Sequence, residues 1–256
     1  MNRLPSTFAA LKRAGRKGLV GYLTAGDPDL ETSERDVRTA LDGGVDVLEL
    51  GVPFSDPTAD GPTIQEATRR ALAGGMTLRK TLDLAARIRQ DYETPMVLFG
   101  YANPFFRYGY EAVCRDAAAA GVDGMLVVDL PFGVADDFTA HMTRRGLYRI
   151  PLIAPTTPPE RAAAILKHAQ GFVYYIMVRG VTGARQTVAA DLGEHVRALR
   201  ACTDLPVAVG FGVSDGAQAR AAAADADAVV VGSALIRAAR EDRLAERVAE
   251  LRAALG

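Results

Sequence analysis

The stretch Val45-Asp-Val-Leu-Glu-Leu-Gly-Val-Pro-Phe-Ser-Asp-Pro-Thr-Ala-Asp-Gly-Pro62 joins an apolar run to a loop rich in glycine, proline and acid. Val45 to Leu50 reads as a buried strand, and the Gly-Pro punctuation ends it. Side chains alternate along a strand, so Glu49 is expected to share a face with Val45 and Val47. An apolar face is a poor place for a carboxylate. Glu49 therefore either reaches solvent or a helix end beyond the strand, or it does acid–base chemistry.

Seven other short apolar runs have the same character: Leu19 to Thr24, Met96 to Tyr101, Gly124 to Asp129, Tyr148 to Ile153, Phe172 to Ile176, Val207 to Gly210 and Ala228 to Val231. Stretches with helical spacing separate them: Leu30 to Leu41, Leu78 to Arg89, Pro104 to Ala119, Pro159 to His168, Leu192 to Ala201 and Ala217 to Ala223. A last helix is expected over Glu241 to Leu255. Strands alternating with helices imply βαβ units and a parallel sheet. Eight units in 256 residues fit an α/β fold with a single (β/α)8 TIM-barrel domain over residues 1–256. Gly44-Val-Asp46 and Gly121-Val-Asp123 precede two of the strands as a faint internal echo, and each strand then ends in an acid near a proline.

The formal net charge of -1 leaves no basic footprint for a nucleic acid. No apolar run is long enough to span a membrane, and the first residues lack a signal peptide, which points to a cytoplasmic protein. Cys114 and Cys202 are isolated and read as reduced thiols.

A barrel carries its catalytic groups on the loops that follow the strands. Glu49 and Asp129 stand at strand ends, Asp60 lies in the loop after the second strand, and Tyr22 and Tyr174 lie in the first and sixth strands. Two glycine turns, Gly210-Phe-Gly-Val-Ser214 and Gly232-Ser-Ala234, follow the seventh and eighth strands and lead into expected helices. Glycine admits an anion close to the backbone, and helix N-termini offer free N–H groups, so a phosphorylated substrate is expected there. A third turn, Gly180-Val-Thr-Gly183, follows the sixth strand. Lys12, Lys17, Lys80 and Lys167 all lie away from strand C-termini, which disfavours a Schiff base. His141, His168 and His195 fall in or beside helices and read as solvated; no metal-ligand set converges on the active face. The remaining groups suit cofactor-free proton transfer on a phosphorylated carbon skeleton, with isomerisation and C–C cleavage both open.

The segment Leu48 to Gln65 closely resembles the signature of the tryptophan synthase α subunit family. Leu23 to Pro28, Gly100 to Pro104, Asp129 to Pro131, Ile153 to Thr157, Gly171 to Tyr174, Gly180 to Arg185, Gly210 to Ser214 and Gly232 to Ala234 agree with it in order along the chain. The resemblance implies retro-aldol cleavage of indole-3-glycerol phosphate to indole and glyceraldehyde 3-phosphate. It places Glu49 as the acid–base group and Asp60 as the carboxylate that meets the indole N–H. It places Tyr22 and Tyr174 at the substrate and Gly183, Gly212, Gly232 and Ser233 at the phosphate, and the apolar pocket that an indole ring requires would be walled by Tyr101, Ile153 and Leu126. Thr182 and Asp56 become contact residues of the lids, Pro53 to Asp60 and Val178 to Ala190.

The resemblance also implies a partner β subunit, an α2β2 heterotetramer and an indole tunnel. Pyridoxal phosphate would belong to that partner, with no cofactor in this chain. Met177 and Phe132-Gly-Val134 depart from the family pattern near those lids, where coupling to the β subunit is decided. Three other readings share parts of this pattern: a free-standing indole-releasing lyase, a non-catalytic scaffold for the β subunit, and a phosphosugar isomerase.

Overall fold

Parallel strands covered on both faces are apolar almost throughout, and the runs above meet that demand. The computed structural model describes residues 2–176, 185–210 and 212–256, with 185–191 as backbone alone. In chain order its elements are α1 (Leu4–Arg13), β1 (Gly18–Thr24), α2 (Leu30–Asp42), β2 (Val47–Gly51), α3 (Pro62–Ala73), α4 (Leu78–Arg89), β3 (Met96–Gly100), α5 (Ala102–Tyr108), α6 (Tyr110–Ala119), β4 (Gly124–Val127), α7 (Asp136–Arg144), β5 (Tyr148–Arg149), β6 (Leu152–Ile153), α8 (Pro159–Leu166), β7 (Val173–Ile176), α9 (Arg185–Arg200), β8 (Val207–Gly210), α10 (Gly216–Ala223), β9 (Ala228–Val231), α11 (Ser233–Arg240) and α12 (Leu244–Leu255).

The strands pair in parallel in the order β5-β4-β3-β2-β1-β9-β8-β7-β6. The two ends of that order are consecutive in the chain. The expected run Tyr148 to Ile153 is divided into β5 and β6 because Pro151 has no N–H to give a ladder. The ladder still crosses the break. Ile150 N–H donates to Met125 C=O at 3.0 Å, and Tyr174 N–H donates to Pro151 C=O at 2.9 Å. The nine segments thus stand for eight barrel strands, and the sheet curls round as a TIM barrel.

Alternation sorts the core into layers. Val20, Val47, Val97, Leu126, Ile150, Ala208 and Ala228 form the barrel interior. Leu48, Leu50, Leu98, Met125 and Val229 face outward onto the helices. Glu49 keeps the parity of Val47, as expected. Val45 does not: it precedes β2 and packs in the outer layer, because a strand's alternation holds only where the strand has begun.

Helix α1 lies outside the expected elements. Its Leu4, Phe8 and Leu11 recur at helical spacing and plug the N-terminal end of the barrel, with Phe8 5.6 Å from Phe172. Helices α3 and α7 are likewise additional. The single helix expected over Pro104 to Ala119 is two, broken at Gly109, which lets Tyr110 stack on Phe138 at 4.4 Å. The helix expected from Glu241 starts at Leu244, since α11 occupies the preceding stretch.

The echo of Gly-Val-Asp has a physical basis. Asp46 donates its N–H to Leu19 C=O at 2.9 Å and accepts Leu19 N–H on its carboxylate at 2.8 Å. Asp123 makes the same reciprocal pair with Met96, at 2.8 and 3.0 Å. Asp227, which lacks the Gly-Val prefix, repeats it with Val207 at 2.9 and 2.8 Å. A helix arginine joins each carboxylate: Arg252, Arg89 and Arg200 respectively. These clamps fix the register of neighbouring strands at the N-terminal end of the barrel. Asp123→Ala strands a buried N–H and the half-buried Arg89, so it should lower the unfolding free energy by about 3–5 kcal/mol in urea denaturation. A loss under about 1 kcal/mol, that of an exposed ion pair, would contradict the clamp.

Candidate active site

The opposite end of the barrel is left open. Deep inward residues such as Val47, Val97 and Ala208 are fully buried, whereas inward-facing Phe99, Val128, Leu152 and Ile176 are only partly covered. At that rim stands Glu49, on β2, with 0% exposure. Neither of its carboxylate oxygens has a hydrogen-bond partner among the described residues. Burial pushes its pKa up to about 8. It is held neutral where a solvated carboxylate would be ionised.

Asp60 sits at the end of the loop after β2, ahead of the N-terminus of α3. Burial raises its pKa to about 6, and the Tyr101 hydroxyl beside it restrains that rise. Tyr101 follows β3. Its hydroxyl accepts the Ala59 N–H at 3.0 Å, and its ring lies 5.3 Å from Phe54. One aromatic side chain thus secures the loop from Phe54 to Asp60.

Tyr22 pairs with Glu49 in the β1–β2 register. Its ring meets Phe99 edge-on at 5.1 Å, and Phe99 lies 6.3 Å from Tyr174. Burial first, then the charges of Asp60 and Glu49, raises the Tyr22 pKa; burial, Glu49, Tyr22 and Asp60 raise that of Tyr174. Both phenols stay neutral and feel both carboxylates, which places the four groups near one another at this end of the barrel. Glycine makes the arrangement possible. A Cβ on Gly51 would collide with the Tyr22 hydroxyl, and one on Gly210 would stand 2.8 Å from that of Tyr174.

The two glycine turns are not equivalent. Before α10, Asp215 accepts the Gln218 N–H at 2.8 Å and Glu250 accepts the Gly216 N–H at 2.9 Å, so carboxylates already occupy that helix end. The expected helix-end anion site fails there. Gly212 remains available as a backbone approach, with φ at +63°. Before α11 the N-cap is Gly232, with no side-chain cap, and half-buried Ser233 opens the helix. Of these two helices, it is α11 whose first N–H groups are left uncapped by a side chain. Met177, Thr182 and Gly183 lie outside the described residues with the rest of 177–184, as does Phe211, while the end of the Val178 to Ala190 lid, 185–190, is the backbone of the first turns of α9.

Several expectations change. Ile153 faces the outer layer with Ile165 and Val196, not the pocket; its neighbour Leu152 points inward, because one residue of register exchanges the faces. Phe99 joins the pocket without having been expected there, although it shares the parity of Tyr101 on the same strand. Asp129 accepts the Ala102 N–H at 2.7 Å and serves the fold at the start of α5. His195 is not solvated: it is half-buried and stacks on Tyr175 at 6.0 Å. Phe132 covers the buried Arg149 guanidinium at 4.7 Å, a packing reason for that departure from the family pattern.

The model of the tryptophan synthase alpha chain family matches residues 8–255. The chain belongs to that family. The tryptophan synthase alpha chain of Geotalea uraniireducens is 49% identical over 100% of this chain and 97% of its own length. That of Laribacter hongkongensis is 48% identical, covering 100% and 99%. Among solved structures, tryptophan synthase of Mycobacterium tuberculosis superposes with a TM-score of 0.92 at 41% identity, covering 99% of this chain and 98% of that one. The alpha subunit of Legionella pneumophila gives 0.92 at 37% identity, covering 100% and 98%. Membership makes the chain a lyase of tryptophan biosynthesis, acting as an α subunit.

Glu49 keeps its proton up to about pH 8 when folded but releases it near 4.5 when unfolded. The native state therefore holds the extra proton in that window, and stability falls as pH rises through it. Glu49→Gln removes the dependence. Its stability relative to the native chain should grow by on the order of 1.4 kcal/mol per pH unit across the window. Urea titrations through that range check this, and a constant difference would contradict a buried, neutral Glu49.

Proposed function

We propose that the chain cleaves indole-3-glycerol phosphate to indole and glyceraldehyde 3-phosphate by a retro-aldol step. The observation that carries this reading is a fully buried Glu49 with no hydrogen-bond partner among the described residues, at the same end of the barrel as an Asp60 set beside the Tyr101 hydroxyl. Protonated Glu49 gives its proton to C3 of the indole, which becomes tetrahedral and leaves an iminium in the ring. Asp60, ionised, accepts a hydrogen bond from the indole N–H and stabilises the positive charge there. The Glu49 carboxylate then takes the proton of the side-chain hydroxyl. The C–C bond breaks, its electrons return to the ring, an aldehyde forms, and Glu49 is again protonated. Tyr22, Phe99, Tyr101 and Tyr174 supply an aromatic surround for the indole. Gly212, Gly232 and Ser233, with Thr182 and Gly183, receive the phosphate. No step calls on a cofactor of this chain.

The partner belongs to the same reading. A tryptophan synthase β subunit, carrying pyridoxal phosphate, would take up the indole in an α2β2 assembly. Two large apolar side chains support a docking face at this end of the barrel: Phe106 on α5, 65% exposed, and Val134 after β4, 50% exposed. A cytoplasmic location and one catalytic barrel over residues 1–256 complete the proposal, and both cysteines being free agrees with a reducing compartment.

With Asp60 required ionised and Glu49 protonated, kcat/KM for indole release should be bell-shaped in pH. It should fall below about 6 as Asp60 gains a proton and above about 8 as Glu49 loses one. Asp60→Asn should remove the acid limb, and a profile flat across this range would sink both roles. Glu49→Gln should cost roughly 10²–10⁴-fold in kcat, with substrate still bound in equilibrium titration. Assays with and without a β subunit distinguish a coupled α subunit, whose slow release rises with the partner, from a free-standing lyase. Turnover of a triose or pentose phosphate without indole release would point to an isomerase instead.

A further inference from the structure

We infer that Asp129 is a positioning residue for Asp60, acting through Tyr101. The inference rests on the reading of Asp60 as the carboxylate that meets the indole N–H. Tyr101 stands at the N-cap of α5 and makes no side-chain cap of its own. The cap comes from the next strand: the Asp129 carboxylate accepts the Ala102 N–H at 2.7 Å. Ala102 directly follows Tyr101, so this bond holds the peptide that carries the tyrosine. From there the ring reaches across to the loop after β2, where its hydroxyl accepts the Ala59 N–H at 3.0 Å and borders the Asp60 carboxylate.

Asp129 is itself held on both sides. Val128 N–H donates to Gly100 C=O at 3.0 Å, which continues the β3–β4 ladder to the residue before it. After it, the buried Arg149 donates to Leu130 C=O at 2.8 Å and Pro131 C=O at 3.0 Å. Arg149 also reaches the Thr139 hydroxyl at 3.0 Å. It has no carboxylate partner among the described residues, so its donors are directed to this loop. The relay thus runs from Arg149 through the Leu130–Pro131 carbonyls to Asp129, then by the α5 cap to Tyr101 and Asp60. Asp129 itself is exposed, so removing its carboxylate opens no cavity in the core.

The test is a cycle of Asp129→Ala, Tyr101→Phe and the double variant, with Asp129→Asn alongside, assayed for indole release in the presence of a β subunit. Asparagine keeps the acceptor for Ala102 but removes the charge. Asp129→Ala should lower kcat by about tenfold or more with KM little changed, as expected of a misplaced group. It should also move the acid limb of the pH profile upward, because Asp60 loses the hydroxyl that restrains its pKa. Asp129→Asn should restore most of the rate. The double variant should be no slower than the slower single variant, since both substitutions break one relay. Losses that multiply in the double variant would overturn the inference. So would an Asp129→Asn variant as slow as Asp129→Ala, since the charge and not the cap would then matter. Asp60→Asn serves as the control: full activity there would remove the assigned role of Asp60, while the Asp129–Tyr101 coupling would still be decided by the cycle.

Discussion

A carboxyl group with no hydrogen-bond partner among the described residues, buried at the rim of a parallel barrel, is the constraint around which this molecule is arranged. Such a group is tolerated only if it stays neutral and if the surrounding packing offsets its desolvation. The barrel meets both demands at Glu49. Strand alternation aims it inward, Tyr22 and Tyr174 crowd its surroundings, and Gly51 and Gly210 leave room for their hydroxyls. The result is a proton held above ordinary carboxylate range at the partly covered rim of the barrel, the condition acid–base chemistry needs.

That tension at one end is matched by redundancy at the other. Asp46, Asp123 and Asp227 each close a reciprocal hydrogen-bonded pair with the adjacent strand, and each is met by an arginine from a helix. Helix α1 fills the barrel mouth beneath them. The three aspartates at that end are paired with the neighbouring strands, so register is fixed there and the strand ends above can carry residues chosen for chemistry. The same division explains why the strongly perturbed carboxylates, Glu49 and Asp60, are found at the open end.

The loops that bear Asp60 and Asp129 are held by side chains, not by sheet. Tyr101 grips the loop after β2, and Arg149 grips the loop after β4. Phe106 and Val134, both exposed, lie on the segments after β3 and β4 that these side chains support.

Much was determined by the sequence alone. Apolar runs of strand length between helical stretches lead to a barrel because parallel strands must be covered on both faces. The Leu48 to Gln65 segment identifies the family, and Glu49 stands out because a carboxylate in an apolar run contradicts its surroundings. Other features are pairwise facts between distant residues and leave no local mark. Whether Ile153 or Leu152 faces the pocket depends on one residue of register beside Pro151. That α11 and not α10 offers free N–H groups depends on Glu250, on the last helix of the chain, reaching back to Gly216. The cap of α5 by Asp129 joins residues 27 apart. Such contacts are set by closure of the barrel, which brings loops together irrespective of their distance in sequence, and only the tertiary structure could decide them.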